Sequence, residues 1–158
     1  MKVKSRHHLR QDEAESIRSE IKDVLGVEME DYNLENVELE EDYDIVLANG
    51  EPLIIRFGED YFVTVKGALE LNPSRRVVTV DAGAVEFVTN GADVMRPGIV
   101  EADESIDEED LVVIIEENHS KPLAVGRALT DGSDMIGDSG KVVENLHHVG
   151  DELWEFEP

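Results

Sequence analysis

The stretch that decides the fold is 77–99, VVTVDAGAVEFVTNGADVMRPGI, which writes a strand, a capped helix and a return strand with almost no slack. Val77, Val78 and Val80 predict a buried strand, because a branched Cβ suits a pleated, covered surface. Asp81 follows as an N-cap whose carboxylate accepts the free amide hydrogens of the next turn. Ala84, Val85 and Val88 recur at helical spacing, Gly91 stands where a helix ends in a left-handed residue, and Ala92, Val94 and Met95 resume an extended run. Gly83 falls in the first turn, where glycine costs about 1 kcal/mol relative to alanine. Two readings account for it: close packing against a neighbouring strand, or a ligand that approaches the backbone.

Downstream of this stretch, strands dominate. Residues 111–115 form a continuous apolar run fit for a strand buried on both faces, residues 122–129 and 141–149 follow as strands, and residues 153–156 close the chain as another. Residues 103–110 make an acidic loop. Short strands at near-regular spacing with one early helix predict a small, nearly closed barrel.

Upstream, Asp12 is placed to cap a helix with Glu15 near the capping-box position, and Ala14, Ile17, Ile21, Val24 and Leu25 form one apolar face before Gly26. Residues 43–48 and 51–57 are strands around Asn49-Gly50, a strong hairpin signal because both turn residues accept positive φ. Gly58-Glu59-Asp60 turns into a third strand over 61–66. Residues 1–10 carry Lys2, Lys4, Arg6 and Arg10 with no acid and predict a flexible basic arm that includes His7 and His8. Pro73 disfavours continuation of regular structure, which places a boundary near Asn72-Pro73-Ser74 and predicts two modules, 1–73 and 74–158.

The run Asp81-Ala82-Gly83-Ala84, Phe87-Val88, Gly91-Ala92, Val94-Met95 and Pro97-Gly98-Ile99 resembles the PUA domain, a small RNA-binding β-barrel. The version is similar to that in the family of the human "multiple copies in T-cell malignancy" protein and ligatin. The likeness continues through Leu123-Ala124-Val125-Gly126, through Gly140-Lys141-Val142-Val143-Glu144-Asn145-Leu146-His147, and into Leu153-Trp154. Upstream, residues 45–57 with their Asn49-Gly50-Glu51 turn resemble that family's N-terminal domain. The resemblance implies an α+β fold: a pre-PUA domain of helix plus antiparallel meander over 1–73, then a PUA pseudo-barrel over 74–158. It implies a non-enzymatic RNA-binding protein that works at the small ribosomal subunit in initiation or recycling, contacts tRNA or rRNA, and cooperates with a partner carrying an initiation-factor-like domain. An accessory subunit that presents tRNA to an RNA-modifying enzyme is the alternative. In related PUA domains RNA lies along the helix start and the following strand and loop, which here are Gly83, Ala84 and the Arg96-Pro97-Gly98 turn.

Composition adds a constraint of its own. Asp and Glu number 38 against 14 Lys and Arg, a formal charge of -24, and only Lys2, Lys4, Lys22, Lys66, Lys121 and Lys141 are lysines. Such self-repulsion weakens a compact state in dilute buffer but is tolerated where salt is abundant, since the Debye length falls to about 3 Å at 1 M. A halophilic, archaeal cytoplasm is the expectation, with an acidic surface for a basic partner as the other reading. Disorder is excluded because the charge is interleaved with 41% apolar residues in strand and helix patterns. Without cysteine there are no disulfides or thiolate metal sites. No run of about 18 apolar residues predicts a membrane span, and the start MKVKSRHHLRQDE has no apolar signal-peptide core, so no membrane partner is expected.

Catalytic chemistry has almost no signal. With 38 carboxylates, acidic pairs arise everywhere by chance and none can be nominated as acid and base. His147 and His148 are adjacent, so in a strand they face opposite sides and do not chelate one ion; the loop from Asp131 to Gly140 lacks the ligand order of an EF-hand, and no Gly-Lys-Ser/Thr follows Gly91. No metal or cofactor is expected. Nucleic-acid signals are sparse but placed: Arg75 and Arg76 precede the first strand of the second module, Arg96 adjoins Pro97-Gly98, and Lys121 and Arg127 flank residues 123–126. Any one of these reads equally as a surface ion pair, worth about 0 to 1 kcal/mol. As a group, with Gly83, Ala84, Pro97 and Gly98, they are the expected RNA-binding residues. Trp154 and Phe156 offer stacking faces, although aromatics in a closing strand more often serve the core.

Overall fold

The computed structural model describes residues 1–158. Its first body is an antiparallel meander of β1 (Val3–His8), β2 (Leu34–Leu39), β3 (Asp44–Ala48), β4 (Glu51–Phe57) and β5 (Asp60–Val63), paired in chain order. The β3–β4 hairpin turns at Asn49 and Gly50, with φ of 51° and 84°. Helix α1 (Gln11–Leu25) buries Ile17, Ile21 and Leu25 against this sheet's core, roughly 1.5–3 kcal/mol for each side chain. It starts at Arg10 rather than Asp12, with Glu13 and not Glu15 accepting the Arg10 amide hydrogen at 3.1 Å. It ends at Gly26 in the left-handed conformation, φ 73°.

Three elements correct the expectations drawn from sequence. The basic arm is the edge strand β1, held to β2 and anchored by Arg6, whose Nε donates to Glu35 at 2.7 Å. All six of its residues are exposed, so no apolar alternation announces it. The third strand stops at Val63, and residues 65–71 form helix α2 (Val65–Leu71) because Thr64 caps it, its hydroxyl accepting the Gly67 amide hydrogen at 3.0 Å. At the C-terminus the expected strand is instead helix α4 (Glu152–Glu155), capped by Asp151, which accepts from the Trp154 amide at 2.9 Å.

The second body is a six-stranded, nearly closed sheet. Its strands are β6 (Val77–Val80), β7 (Val94–Met95), β8 (Ile99–Ala102), β9 (Leu111–Glu116), β10 (Pro122–Ala128) and β11 (Lys141–His148), in the order β7-β11-β10-β9-β6-β8. Strand β6 pairs antiparallel with β8 and parallel with β9, so Val78 and Val80 are fully buried. Asp81 caps a 3-10 turn over Ala82–Ala84, accepting the Ala84 amide hydrogen at 3.0 Å, before helix α3 (Val85–Thr89). Gly91 then takes φ 92°, as the sequence requires. The architecture is α+β, as expected.

Two hydrophobic clusters fill the molecule, of 24 and 14 buried residues. Leu111, Val113, Val125 and Leu153 of the second body belong to the larger cluster, so the two sheets share a packed seam. Trp154 and Phe156 pack against that cluster, which gives them to the core rather than to a stacking platform. No helix is long and apolar enough to cross a membrane.

Candidate nucleic-acid interface

The turn after β6 and the turn before β8 lie against each other. The Asp81 amide donates to the Gly98 carbonyl at 2.9 Å, and a Cβ on Gly98 would stand 3.3 Å from that of Ala84. Between these turns and α3 runs a groove of about 310 Å³ lined by Gly83, Ala84, Phe87, Met95, Pro97 and Gly98 among others. Phe87 is 66% exposed and Met95 49%, a poor use of apolar area in a free surface and a good one for holding a flat partner. Around Gly83 the only atom a Cβ would meet is its own cap, Asp81 Oδ1, at 3.3 Å. No neighbouring strand packs there, so close packing does not explain this glycine.

The groove is held from behind by β11. The Asn145 side chain donates to the carbonyls of Val88 and Ala92, each at 3.0 Å, and its amide donates to Asp93 Oδ1 at 2.8 Å. Lys141 reaches the other oxygen of Asp93 at 3.3 Å. The end of α3 and the start of β7 are thereby fixed to a strand that follows them by some fifty residues. Asn145 was not legible as a site residue, because its partners are carbonyls distant in sequence.

Of the expected RNA-binding residues, Gly83, Ala84, Pro97 and Gly98 come together in this groove, and Arg96 sits in its second turn. The Arg96 guanidinium is turned to the loop 131–140, donating from Nε to the Asp134 carbonyl at 2.9 Å and from Nη1 to the Ser139 carbonyl at 3.0 Å. The other cations lie elsewhere. Arg75 donates to the Asp23 carbonyl at 3.0 Å, under the end of α1. Arg76, at φ 60°, pairs with Asp110 at 3.2 Å, and Arg127 donates to the Glu109 carbonyl at 2.7 Å, so both fasten the acidic loop 103–110. Lys121 is exposed in the β9–β10 turn, where its amide rather than its ammonium is held, by Glu116.

Carboxylates shape these loops as much as cations do. Backbone donors from Lys121, His119 and Asn118 outweigh desolvation and hold the Glu116 carboxyl below its usual range. Burial works to raise Asp103, but the Ser105 and Arg76 amides and the Ser105 hydroxyl overcome it and leave that carboxyl lowered. The groove itself is apolar and edged by Asp81 and Asp93, with no cation pointing in. Such a surface suits an unstacked base or a ribose edge and repels a phosphate.

A strand, capped turn, short helix and glycine-walled groove on a nearly closed sheet define the class: residues 76–150 match the PUA domain. An uncharacterized protein of Methanocaldococcus jannaschii is 39% identical over 161 residues, with 99% of each chain covered. Translation machinery-associated protein 20 of Saccharomyces cerevisiae is 28% identical over 130 residues, covering 78% of this chain and 72% of the yeast protein. Malignant T-cell-amplified sequence 1-B of Xenopus laevis is 30% identical over 125 residues, covering 76% and 69%. Among solved structures, a conserved PUA domain protein from Thermoplasma acidophilum superposes with a TM-score of 0.83 at 30% identity, over 98% of this chain and all of that one. The chain belongs to the malignant T-cell-amplified sequence 1 family of PUA-domain proteins. Domain and family together support RNA binding.

Proposed function

We propose that this chain is a non-enzymatic RNA-binding protein of translation, acting in the cytoplasm of a salt-loving archaeon at the small ribosomal subunit. In this reading it divides at residue 73, residues 74–158 hold tRNA or rRNA, and residues 1–73 dock on the subunit or on a protein with an initiation-factor-like domain. The observation that carries the RNA contact is the apolar groove with the bare backbone of Gly83 on one wall and the exposed ring of Phe87 on another. A base can lie on that ring while its sugar passes the glycine, an arrangement worth about 1–3 kcal/mol per stacked base. This mode fits the charge. At -24 and in strong salt, counterion release contributes little, so affinity must come from shape, hydrogen bonds and stacking.

Support for the setting comes from the yeast relative, which is named for its association with the translation machinery. Co-sedimentation with small ribosomal subunits in concentrated KCl tests it. The wild-type chain is expected in the subunit fraction and Phe87→Ala largely in the supernatant. A chain that binds free tRNA yet never enters the subunit fraction contradicts the ribosomal role and favours tRNA presentation to a modifying enzyme.

A further inference from the structure

Strands β8, β6 and β9 lie side by side, and residues two apart along each share a face. Val78, Val80, Val112 and Ile114 point into the smaller core and are fully buried. The opposite face carries two rows across the three strands. Thr79 stands between Glu101 on β8 and Ile115 on β9. Val77 stands opposite Val113, and its carbonyl accepts the Asp103 amide hydrogen at 3.1 Å. With strands about 4.8 Å apart, each row is about 10 Å wide. The outer face of such a sheet is ordinarily polar, yet Val77, Val113 and Ile115 are apolar. The seam with the first sheet accounts for Val113 and the neighbouring Ile115, whereas Val77 belongs to neither core.

This face floors a cleft of about 580 Å³, nearly twice the volume of the groove. The end of α2 at Ala68 and Asn72, with Pro73 and Ser74 after it, bounds the cleft together with the β9–β10 turn. Its charged lining residues are Glu101, Asp103 and Glu117, and no lysine or arginine lines it. Asp103 is engaged by the Arg76 and Ser105 amides. Glu101 and Glu117 are exposed, and no cation of the chain pairs with either.

An apolar floor flanked by uncompensated carboxylates matches an ammonium group on an aliphatic stem. Lysine lays its stem along apolar surface and keeps its charged head in water. Phosphate is repelled, which sets RNA aside as the occupant. Pockets of about 300–1,000 Å³ take a whole drug-sized ligand, so this volume exceeds the needs of one amine and accommodates several residues of extended chain. The floor also matters in strong salt, where screening weakens all but the closest ion pairs.

We propose that this cleft is the docking site of an extended, lysine-bearing segment of a partner protein, its stems lying over Val77 and Ile115 and its ammonium groups meeting Glu101 and Glu117. The groove shares no lining residue with the cleft and opens at the other end of the strands, beyond Val80 and before Ile99. The chain therefore holds RNA and the segment at once.

The probe is a peptide of about eight residues alternating lysine and alanine, so that every lysine of the extended form falls on one face. Its binding to the full chain in about 2 M KCl is followed through methyl resonances. Those of Val77 and Ile115 are expected to shift while those of Val78 and Ile114, on the opposite face, hold. Glu101→Gln combined with Glu117→Gln, both at exposed positions, is expected to weaken binding by about tenfold or more, and norleucine in place of lysine in the peptide by at least as much. Glu38→Gln with Glu41→Gln removes the same charge from exposed positions of the first body and is expected to leave the affinity unchanged. Unmoved Val77 and Ile115 methyls, an equal loss in the two double variants, displacement of the peptide by tRNA, or spermidine that binds as tightly as the peptide overturns the proposal.

Discussion

Glu116 shows how much one carboxylate does in this chain. Buried to 8% exposure, it gathers the amide hydrogens of Asn118, His119 and Lys121 and so closes the β9–β10 turn. Its carboxyl is lowered in the folded state, so between the folded and ordinary values the unfolded chain binds more protons. The stability it contributes is therefore fully present above the ordinary carboxylate value, about 4.3, and is lost progressively as the pH falls from there through the lowered folded value. Glu116→Gln is expected to be less stable at neutral pH and to show a flatter acid limb in denaturant melts between about pH 6 and about pH 3. An acid limb identical to the wild type would remove Glu116 from the account. Asn145 and His147 act in the same manner, each by bonds to backbone groups far away in sequence. Residues of this kind are invisible to pattern reading, because nothing in their neighbours along the chain records the partner.

Elements divide along the same line. The stretch 77–99 was legible because its signals are local: branched strand residues, Asp81 three residues before the amide it caps, and Gly91 at positive φ. Helix α4 was misread as a strand, and the strand expected over 61–66 ran past the Thr64 cap into the start of α2, because short apolar runs satisfy either period and only the caps Thr64 and Asp151 decide between them. Strand β1 has no apolar pattern at all, and β2 went unmarked beside it. The groove residues were legible for the same reason, since Gly83, Ala84, Pro97 and Gly98 lie in the local motif, whereas Arg75, Arg76, Lys121 and Arg127 are distributed among loops that the fold keeps away from the groove. Arg96 illustrates the difference. Its two bonds to the Asp134 and Ser139 carbonyls make it a clamp on the loop 131–140, so Arg96→Ala is expected to cost about 1 kcal/mol and to speed limited proteolysis within that loop. Unchanged cleavage there would leave the guanidinium free for another task.

Over the whole molecule, charge and packing pull against each other. Two clusters of 24 and 14 buried residues must hold together a surface with a net charge of -24. Much of the scarce positive charge is tied up at the surface, paired with Glu35, Asp93 and Asp110 or turned to backbone carbonyls, and leaves most of the carboxylates without a cation. Thermal melts from about 0.1 M to about 3 M KCl are expected to rise steeply as the Debye length shrinks below the spacing of exposed carboxylates. A flat profile with high melting temperature throughout would discard the halophilic reading. The central claim remains that the PUA groove takes RNA at the bare backbone of Gly83, and one variant tests it most directly. Gly83→Val, measured for tRNA affinity and melting temperature together, is predicted to lose at least tenfold in affinity, about 1.4 kcal/mol, with only a small drop in melting temperature, because the one atom within 4 Å of the new Cβ is the capping Asp81 Oδ1, at 3.3 Å. Wild-type tRNA affinity in a fully folded Gly83→Val chain would contradict the account.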